Sequence, residues 1–154
     1  ISNLIANNNL PASTMVNLSK ARINGVEMAY AGRFGDTGVK AALTLQDPRD
    51  NQTGLVLLRR ARSFGNVGLT RQFGAWQAGG EWQYSGTRAD VDINTFARTM
   101  LASYDVVNLT ASHAWDKQLQ LSLRVDNLFN KDYMLAHGYN TLGRTLFVGL
   151  SYRQ

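Results

Sequence analysis

The 154-residue sequence contains no cysteine and only two prolines. The absence of cysteine excludes a disulfide scaffold, a cysteine-ligated zinc site and a thiol nucleophile. Long hydrophobic runs are also missing, because no apolar run exceeds five residues even with glycine counted. A membrane-spanning helix needs roughly 20 such residues, so a helical membrane protein is excluded. A membrane β-barrel is not excluded, since its strands need only about 9–11 residues each.

Charged residues are also scarce, at 18% of the sequence, and their balance is mildly basic. Lys and Arg total 16 against 11 Asp and Glu, which gives a net charge of +5. The basic residues are scattered, without the dense run that favours nucleic-acid binding. The hydrophobic content of 44% argues against intrinsic disorder. We therefore expect a folded protein with no nucleic-acid partner.

Alternation of apolar and polar residues is the main signal in the sequence. It is clearest where Leu119, Leu121, Leu123 and Val125 alternate with polar residues. The pattern predicts an all-β fold, built as an antiparallel meander of about eight strands. The expected strands span about residues 1–7, 13–34, 39–47, 60–74, 76–87, 103–115, 118–129 and 143–153.

Short turns and long polar connections alternate strictly between these strands. The turns are expected at 35–38, 73–76 and 116–118, and the long connections at 8–12, 48–59, 88–102 and 130–142. This asymmetry is typical of bacterial outer-membrane barrels. Two bands of aromatic residues, as found at membrane interfaces, are also expected. One band lies beside the turns (Phe34, Phe73, Trp76, Trp115), and the other near the long connections (Tyr84, Tyr104, Phe129).

The polar face of the strands carries small and hydrogen-bonding residues such as Gly79, Thr110 and Ser122. Such residues suit a water-filled lumen, with the aliphatic face turned to lipid. The pattern alone does not say which face points inward. A soluble β-sandwich or ligand-binding barrel with an apolar interior is therefore the alternative interpretation.

No catalytic constellation is visible, and we expect the protein not to be an enzyme. His113 shares its phase with Leu109 and Trp115 and should point at lipid, where it would be a poor general base. His137 lies in the last long connection and is expected to be solvated. An outer-membrane hydrolase would need a histidine, a serine and an acid converging on one rim, and no such set is apparent.

Two charged clusters contain residue types that occur in binding sites. Asp90, Asp92 and Asn94 have the spacing of the first ligands of a calcium loop, but the required glycine and the closing glutamate are absent. We therefore interpret them as a solvated acidic loop and predict no metal site and no cofactor. The second cluster lies where a long connection enters a strand (Arg59, Arg60, Arg62). Its side chains could pair with lipid phosphates or simply be hydrated.

The last thirty residues carry a more specific sequence signal than the alternation does. The segment VDNLFNKDY (Val125–Tyr133), followed by GYNTLGRTLFVGLSYR (Gly138–Arg153), resembles the C-terminal end of TonB-dependent outer-membrane receptors. The strand KARINGVEMAY (Lys20–Tyr30) and the loop exit LRRARSFGNVGL (Leu58–Leu69) agree with it. The GYNTLGR stretch looks most like the vitamin B12 (cobalamin) receptor branch. Asp126 and Asn127 are expected to end their strand by bonding the local backbone.

The resemblance implies that residues 1–154 are the C-terminal part of a transmembrane β-barrel of about 22 strands in the Gram-negative outer membrane. The plug domain and the early strands would then lie outside the chain. The intact receptor would import a scarce metal chelate, with cobalamin favoured, using energy delivered by TonB through the plug region. Outer-membrane lipid and lipopolysaccharide would surround the barrel. The barrel-assembly machinery would recognise the last strand, where Gln154 occupies the family's aromatic position. Either Tyr152 takes the place of that aromatic residue or the chain is trimmed.

Candidate ligand contacts are drawn from the last long connection. They are Tyr133, His137, Tyr139 and Asn140. Two alternatives stay open, namely a siderophore receptor of the same superfamily and a complete small eight-stranded outer-membrane protein with a structural or adhesion role. Pairing of the first strand with the last would indicate the complete small barrel.

Overall fold

A computed structural model describes residues 2–8 and 14–153, which form antiparallel β-structure. The strands are β1 (Ser2–Asn8), β2 (Thr14–Phe34), β3 (Thr37–Asp50), β4 (Ser63–Phe73), β5 (Trp76–Ser85), β6 (Arg88–Val91), β7 (Arg98–Leu101), β8 (Tyr104–Ala114), β9 (Leu119–Asp126), β10 (Met134–Ala136), β11 (Tyr139–Asn140) and β12 (Thr145–Tyr152). Eight form one sheet in the order β1-β2-β3-β4-β5-β8-β9-β12, while β6-β7 and β10-β11 are separate hairpins. The described part of the chain has no helix with the length and hydrophobicity of a transmembrane segment.

The prediction of an all-β meander of eight strands is confirmed, because each strand of the large sheet corresponds to one predicted strand. One difference is that β3 continues to Asp50, which pairs with Ala21 at the far end of the β2–β3 ladder. Two long connections also contain the hairpins β6-β7 and β10-β11, whose strands are too short for alternation to reveal. In the connection expected at 8–12, residues 9–12 lie outside the described residues.

The connections give the sheet two distinct rims. At the short-turn rim, tight turns join β2 to β3 and β4 to β5, with Gly35 and Gly74 at φ angles of 58° and 60°. Glycine adopts this left-handed conformation without steric cost. The long-loop rim carries loop A (residues 51–62), loop B (86–103) and loop C (127–144). The rims therefore have the asymmetry predicted from the sequence.

One face of the large sheet is apolar and exposed. The register places Tyr30 beside Ala41, and Val67 lies between Ala41 and Trp82. The same face includes Val26, Met28, Leu43, Leu45, Leu69, Leu109, Leu146, Val148 and Leu150, all of them exposed. No element of residues 21–153 packs against this face. Such a large uncovered apolar surface requires apolar surroundings, as the outer wall of a membrane barrel does.

The opposite face is polar and lines an open cavity of about 840 Å³. Glu81 accepts hydrogen bonds there from the amides of Asn66 at 3.3 Å and Gln83 at 2.9 Å. Arg124 pairs with Asp126 at 3.2 Å. The polar side chains satisfy one another and leave room for water, as expected of a lumen. The polar face is therefore the inner face, which favours the membrane interpretation over a soluble barrel.

The large sheet is open. Within the described residues, β1 pairs only with β2, and β12 pairs only with β9. The two outermost strands thus do not meet, and the closed eight-stranded barrel required by the small complete outer-membrane protein is not formed.

The predicted aromatic bands are partly present. Beside the short turns, Trp76 and Trp115 are exposed on the apolar face and contact His113, with ring centroids 4.5 and 5.2 Å from its ring. Near the long loops, Tyr84 stacks on Trp82. The prediction is wrong for Tyr104, which lies on the polar face against the Tyr133 ring at 4.3 Å. Its partner across the ladder is Ser85, so the strand alternation points it inward.

The small buried core sits under the long loops. Its apolar members are Ala21, Leu57, Ala61, Ala89, Leu101 and Val106. Most of the large apolar side chains are instead on the outer face. Polar contacts between the loops therefore act together with these few buried apolar side chains in ordering the long-loop rim.

Candidate functional site

Asp90 joins the three long loops. Its side chain is fully buried, and Arg59 of loop A donates from Nε to Oδ1 at 3.0 Å. The backbone N–H of Val91 also donates to Oδ1, at 2.9 Å. From loop C, the backbone N–H of His137 donates to Oδ2 at 2.7 Å. A single carboxylate of loop B thus accepts hydrogen bonds from its own loop and from both neighbouring loops.

The ionised form of Asp90 is favoured in this setting. Burial opposes ionisation, but the hydrogen bonds from the His137 and Val91 backbones, together with the charge of Arg59, outweigh it. Their combined effect holds the pKa of Asp90 below its ordinary value. The carboxylate is therefore charged at neutral pH and can keep all its donors.

Arg88, two residues earlier on β6, makes a second link between loops B and C. Its guanidinium donates to Ser85 Oγ at 3.2 Å and to the Met134 carbonyl at 2.8 Å. It also lies over the Tyr104 ring, 4.8 Å from the centroid, and Tyr104 in turn contacts Tyr133 of loop C. Arg88 of loop B and Tyr104 of β8 together thereby fix the position of Tyr133.

Asn127 organises the start of loop C. It is buried at a φ of 52°, a conformation that asparagine tolerates better than most residues. Its Oδ1 accepts from the Lys131 backbone N–H at 2.8 Å, and its Nδ2 donates to the Lys131 carbonyl at 2.9 Å. The predicted backbone bonding is therefore confirmed for Asn127. It is wrong for Asp126, whose carboxylate pairs with Arg124 instead.

The four predicted contact residues do not lie in one place. Tyr133 is half-buried and lines the inner cavity. His137 is half-buried at the β10–β11 turn, with Nε2 3.8 Å from Asp92 Oδ2. Tyr139, 67% exposed, and Asn140 lie on β11 at the surface of loop C. The hairpin thus brings together His137, Tyr139 and Asn140, while Tyr133 faces the cavity separately.

In both charged clusters, some side chains have protein partners that the sequence interpretation did not include. The interpretation as a solvated acidic loop is wrong for Asp90, which is fully buried. Asp92 is half-buried and accepts from the backbone of Asn94 at 2.8 Å and Thr95 at 3.0 Å, as the cap of a turn. Hydrogen bonds from these two backbone groups lower the pKa of Asp92. Among the arginines, Arg59 pairs with Asp90, while Arg62 pairs with Asp47 of β3 at 3.3 Å.

The described residues bring together no group of three or more His, Asp or Glu side chains that could hold a metal ion. His113 lies on the apolar face between Trp76 and Trp115, as its phase predicted. The polar loops above a wide, water-accessible cavity form an arrangement that is suited to ligand binding.

An apolar outer face, a polar inner face, short turns at one rim and ordered long loops at the other define the wall of an outer-membrane β-barrel. Residues 1–128 match the profile of the family described as TonB dependent receptor-like, beta-barrel. The chain belongs to the TonB-dependent receptor β-barrel family, whose members are receptors and transporters of the Gram-negative outer membrane and not enzymes.

One curated relative is similar in sequence, and two solved structures share the fold. The chain is 29% identical over 157 aligned residues to the vitamin B12 transporter BtuB of Vibrio cholerae serotype O1, covering 99% of this chain and 25% of the relative. The structure is similar to copper transporter OprC, with a TM-score of 0.74 and 23% identity over 92% of this chain and 25% of that one. It is also similar to the ferripyoverdine receptor of Pseudomonas aeruginosa, with a TM-score of 0.76 and 19% identity over 97% of this chain and 23% of that one. The chain thus spans about a quarter of the length of the relatives it matches.

Proposed function

We propose that this chain is the C-terminal part of the barrel of a TonB-dependent receptor that imports a metal chelate. The plug domain and the early strands lie outside it. Two observations support this proposal: the chain covers a quarter of BtuB, and β1 and β12 leave the sheet open for further strands. In the intact receptor, the long loops bind the chelate and TonB acts through the plug region.

The favoured ligand is cobalamin. The observation that carries this choice is the 29% identity to the vitamin B12 transporter BtuB, which extends over 99% of the chain and so includes all three long loops. Loop C supplies the candidate contacts Tyr133, His137, Tyr139 and Asn140. Aromatic rings and amide groups of this kind suit a large chelate with both apolar and hydrogen-bonding edges.

The outer surfaces have proposed partners as well. Outer-membrane lipid and lipopolysaccharide cover the apolar face, where Leu146, Val148 and Leu150 are exposed. The barrel-assembly machinery binds β12, the proposed last strand of the barrel.

The experiment uses the full-length receptor that contains this chain, expressed in a strain without its own cobalamin receptor. We expect uptake of radiolabelled cyanocobalamin that requires TonB. Tyr139→Ala should reduce uptake at low ligand concentration, whereas Phe129→Ala should not, although both rings are exposed on loop C. Absence of cyanocobalamin binding by the wild-type receptor would contradict the cobalamin assignment.

A siderophore receptor is the second candidate, because siderophore receptors share the fold at high similarity. The ferric-catecholate import receptor Fiu of Escherichia coli, for example, has a TM-score of 0.76 with this chain at 20% identity. Uptake of a ferric siderophore, with no cyanocobalamin uptake, would support this second candidate in place of the first.

A further inference from the structure

A second cavity, of about 610 Å³, lies on the inner face directly below the long loops. It is lined by inward-pointing residues of β2 to β5, such as Thr44 and Gln83, and by residues of loops A and B. Three arginines line it, namely Arg59, Arg60 and Arg88, against one acidic side chain, that of Glu27. Because Arg59 is paired with Asp90, Arg60 and Arg88 against Glu27 leave the cavity with an excess of one positive charge.

Arg88 is the most unusual of the three arginines. It is only 6% exposed, yet its hydrogen bonds go to neutral oxygens of Ser85 and Met134. Its Nε is buried and has no partner within the described residues. No acidic side chain in that part of the chain pairs with it, because the nearby carboxylate of Asp90 pairs with Arg59. Burying a cation without an anion is costly, and the Tyr104 ring compensates only in part.

Arg60 lines the same cavity on its solvent-exposed side. It is exposed, lines the cavity, and its side chain makes no ion pair or hydrogen bond with the described residues. Arg59 uses only its Nε on Asp90, and its side chain is 59% exposed. The guanidinium groups of Arg59 and Arg60 can therefore still donate hydrogen bonds into the cavity.

These observations favour hydration over lipid pairing for Arg59 and Arg60 of the arginine cluster. Arg59 and Arg60 share a cavity with residues of the inner face, whereas the exposed apolar side chains that we propose contact lipid lie on the opposite face of the sheet. Arg62, in contrast, is absent from the cavity lining and pairs with Asp47. Pairing with lipid phosphates would require Arg59 and Arg60 to lie on the apolar outer face and not on the inner face.

We propose that the cavity lined by Arg59, Arg60 and Arg88 binds an anionic oxygen group, a phosphate or a carboxylate, of the imported chelate. Guanidinium groups bind such oxygens through strong, charge-assisted hydrogen bonds. In the cobalamin case, the group is the phosphodiester of the nucleotide loop. This inference rests on the proposed transport function, and it adds the part of the ligand that is recognised and the residues that recognise it.

The test compares two corrinoids on the purified full-length receptor: cyanocobalamin, which carries the phosphodiester, and cobinamide, which lacks it. For Arg60→Gln we expect the Kd for cyanocobalamin to rise about three- to tenfold, as for loss of one partly exposed charged hydrogen bond. The Kd for cobinamide should not change. Arg62→Gln is the matched control, since it removes an exposed arginine of the same loop, and both Kd values should then stay at the wild-type level. Raising the salt concentration should weaken cyanocobalamin binding by the wild type more than by the variant.

An unchanged cyanocobalamin Kd in Arg60→Gln, or an equal loss for both corrinoids, would overturn the anion site. If the wild type binds neither corrinoid, the cobalamin assignment fails separately. The anion site is then tested with a ferric siderophore that carries free carboxylates and with a neutral ferric trihydroxamate. A loss in Arg60→Gln confined to the carboxylate-bearing chelate supports the site, and any other result with these two chelates overturns it.

Discussion

Removal of the Asp90 carboxylate should loosen the contact between loops B and C, although the Arg88–Met134 hydrogen bond remains. In Asp90→Ala, the backbone N–H groups of His137 and Val91 lose their acceptor, and Arg59 loses its counter-charge. An unpaired buried donor costs about 1–3 kcal/mol. Because the side chain of Arg59 is 59% exposed, water replaces most of that ion pair, and we count little for it. The expected destabilisation of the closed loop arrangement is therefore roughly 3 kcal/mol.

Hydrogen exchange of the His137 amide measures this quantity directly, because that N–H is itself the donor to Asp90 at 2.7 Å. A loss of roughly 3 kcal/mol corresponds to about 100-fold faster exchange at this amide in the full-length receptor. Asp90→Asn keeps one acceptor oxygen and should give an intermediate increase, about tenfold.

The control is Asp116→Ala at the opposite rim. Asp116 Oδ1 also accepts two backbone hydrogen bonds, from Gln118 and Leu119 at 2.7 Å each, but it is exposed and far from the long loops. This variant should loosen only the β8–β9 turn. Unaltered exchange at His137 in Asp90→Ala, or the same change in Asp116→Ala, would refute the role of Asp90 as the junction of the loops.

The same amide should report a pH dependence. The pKa of Asp90 is lowered in the folded loops, so its contribution is fully present above the ordinary value of about 3.9. The contribution is lost as the pH falls through the lower pKa of the folded state. After correction for intrinsic exchange, protection of His137 should therefore be constant near neutral pH and should fall only in acid.

Three further outcomes are expected. Asn127→Ala removes the side-chain bonds to Lys131 at a positive φ and should cost about 2 kcal/mol, seen as faster proteolytic cleavage within loop C. A spin label at Leu121 should be accessible to oxygen dissolved in lipid, and one at Ser122 to a water-soluble nickel reagent; the reverse pattern would contradict the assignment of faces. In liposomes, residues 1–154 alone should show no TonB-driven uptake of cyanocobalamin, and such uptake would contradict the proposal that the plug lies outside the chain.

The large sheet was predictable because its two faces meet different solvents. Lipid on one side and water on the other impose alternation along every strand, as in Leu121 and Ser122 of β9. Alternation also accounts for the inward position of Tyr104, because this residue shares its phase with Asn108 and Thr110, which are polar. The alternation was correct, and only the aromatic character of Tyr104 suggested the outer face.

The loops were not predictable in the same way. Nothing in the local sequence distinguishes Asp90, which is fully buried, from Asp92, which caps a turn. Burial of Asp90 arises from partners 31 and 47 residues away in the chain, Arg59 and His137. Contacts of such range leave no periodic pattern. The anion cavity is hidden for the same reason, since the sequence shows that Arg60 and Arg62 are neighbours but not that only Arg60 reaches the inner face.

The outward orientation of the apolar side chains also bears on how the long loops of the barrel wall are kept in position. In a soluble protein, apolar side chains would fix the loops against a core, but here most large apolar residues face outward and only a few of the described apolar side chains, such as Leu57 and Leu101, are buried at the loops. Loop positions therefore depend on buried polar groups, Asp90 and Arg88 above all. Hydrogen bonds are directional and each can be lost with a single side chain. Ligand affinity should consequently be more sensitive to polar substitutions at these positions than to apolar substitutions of similar size on the outer wall.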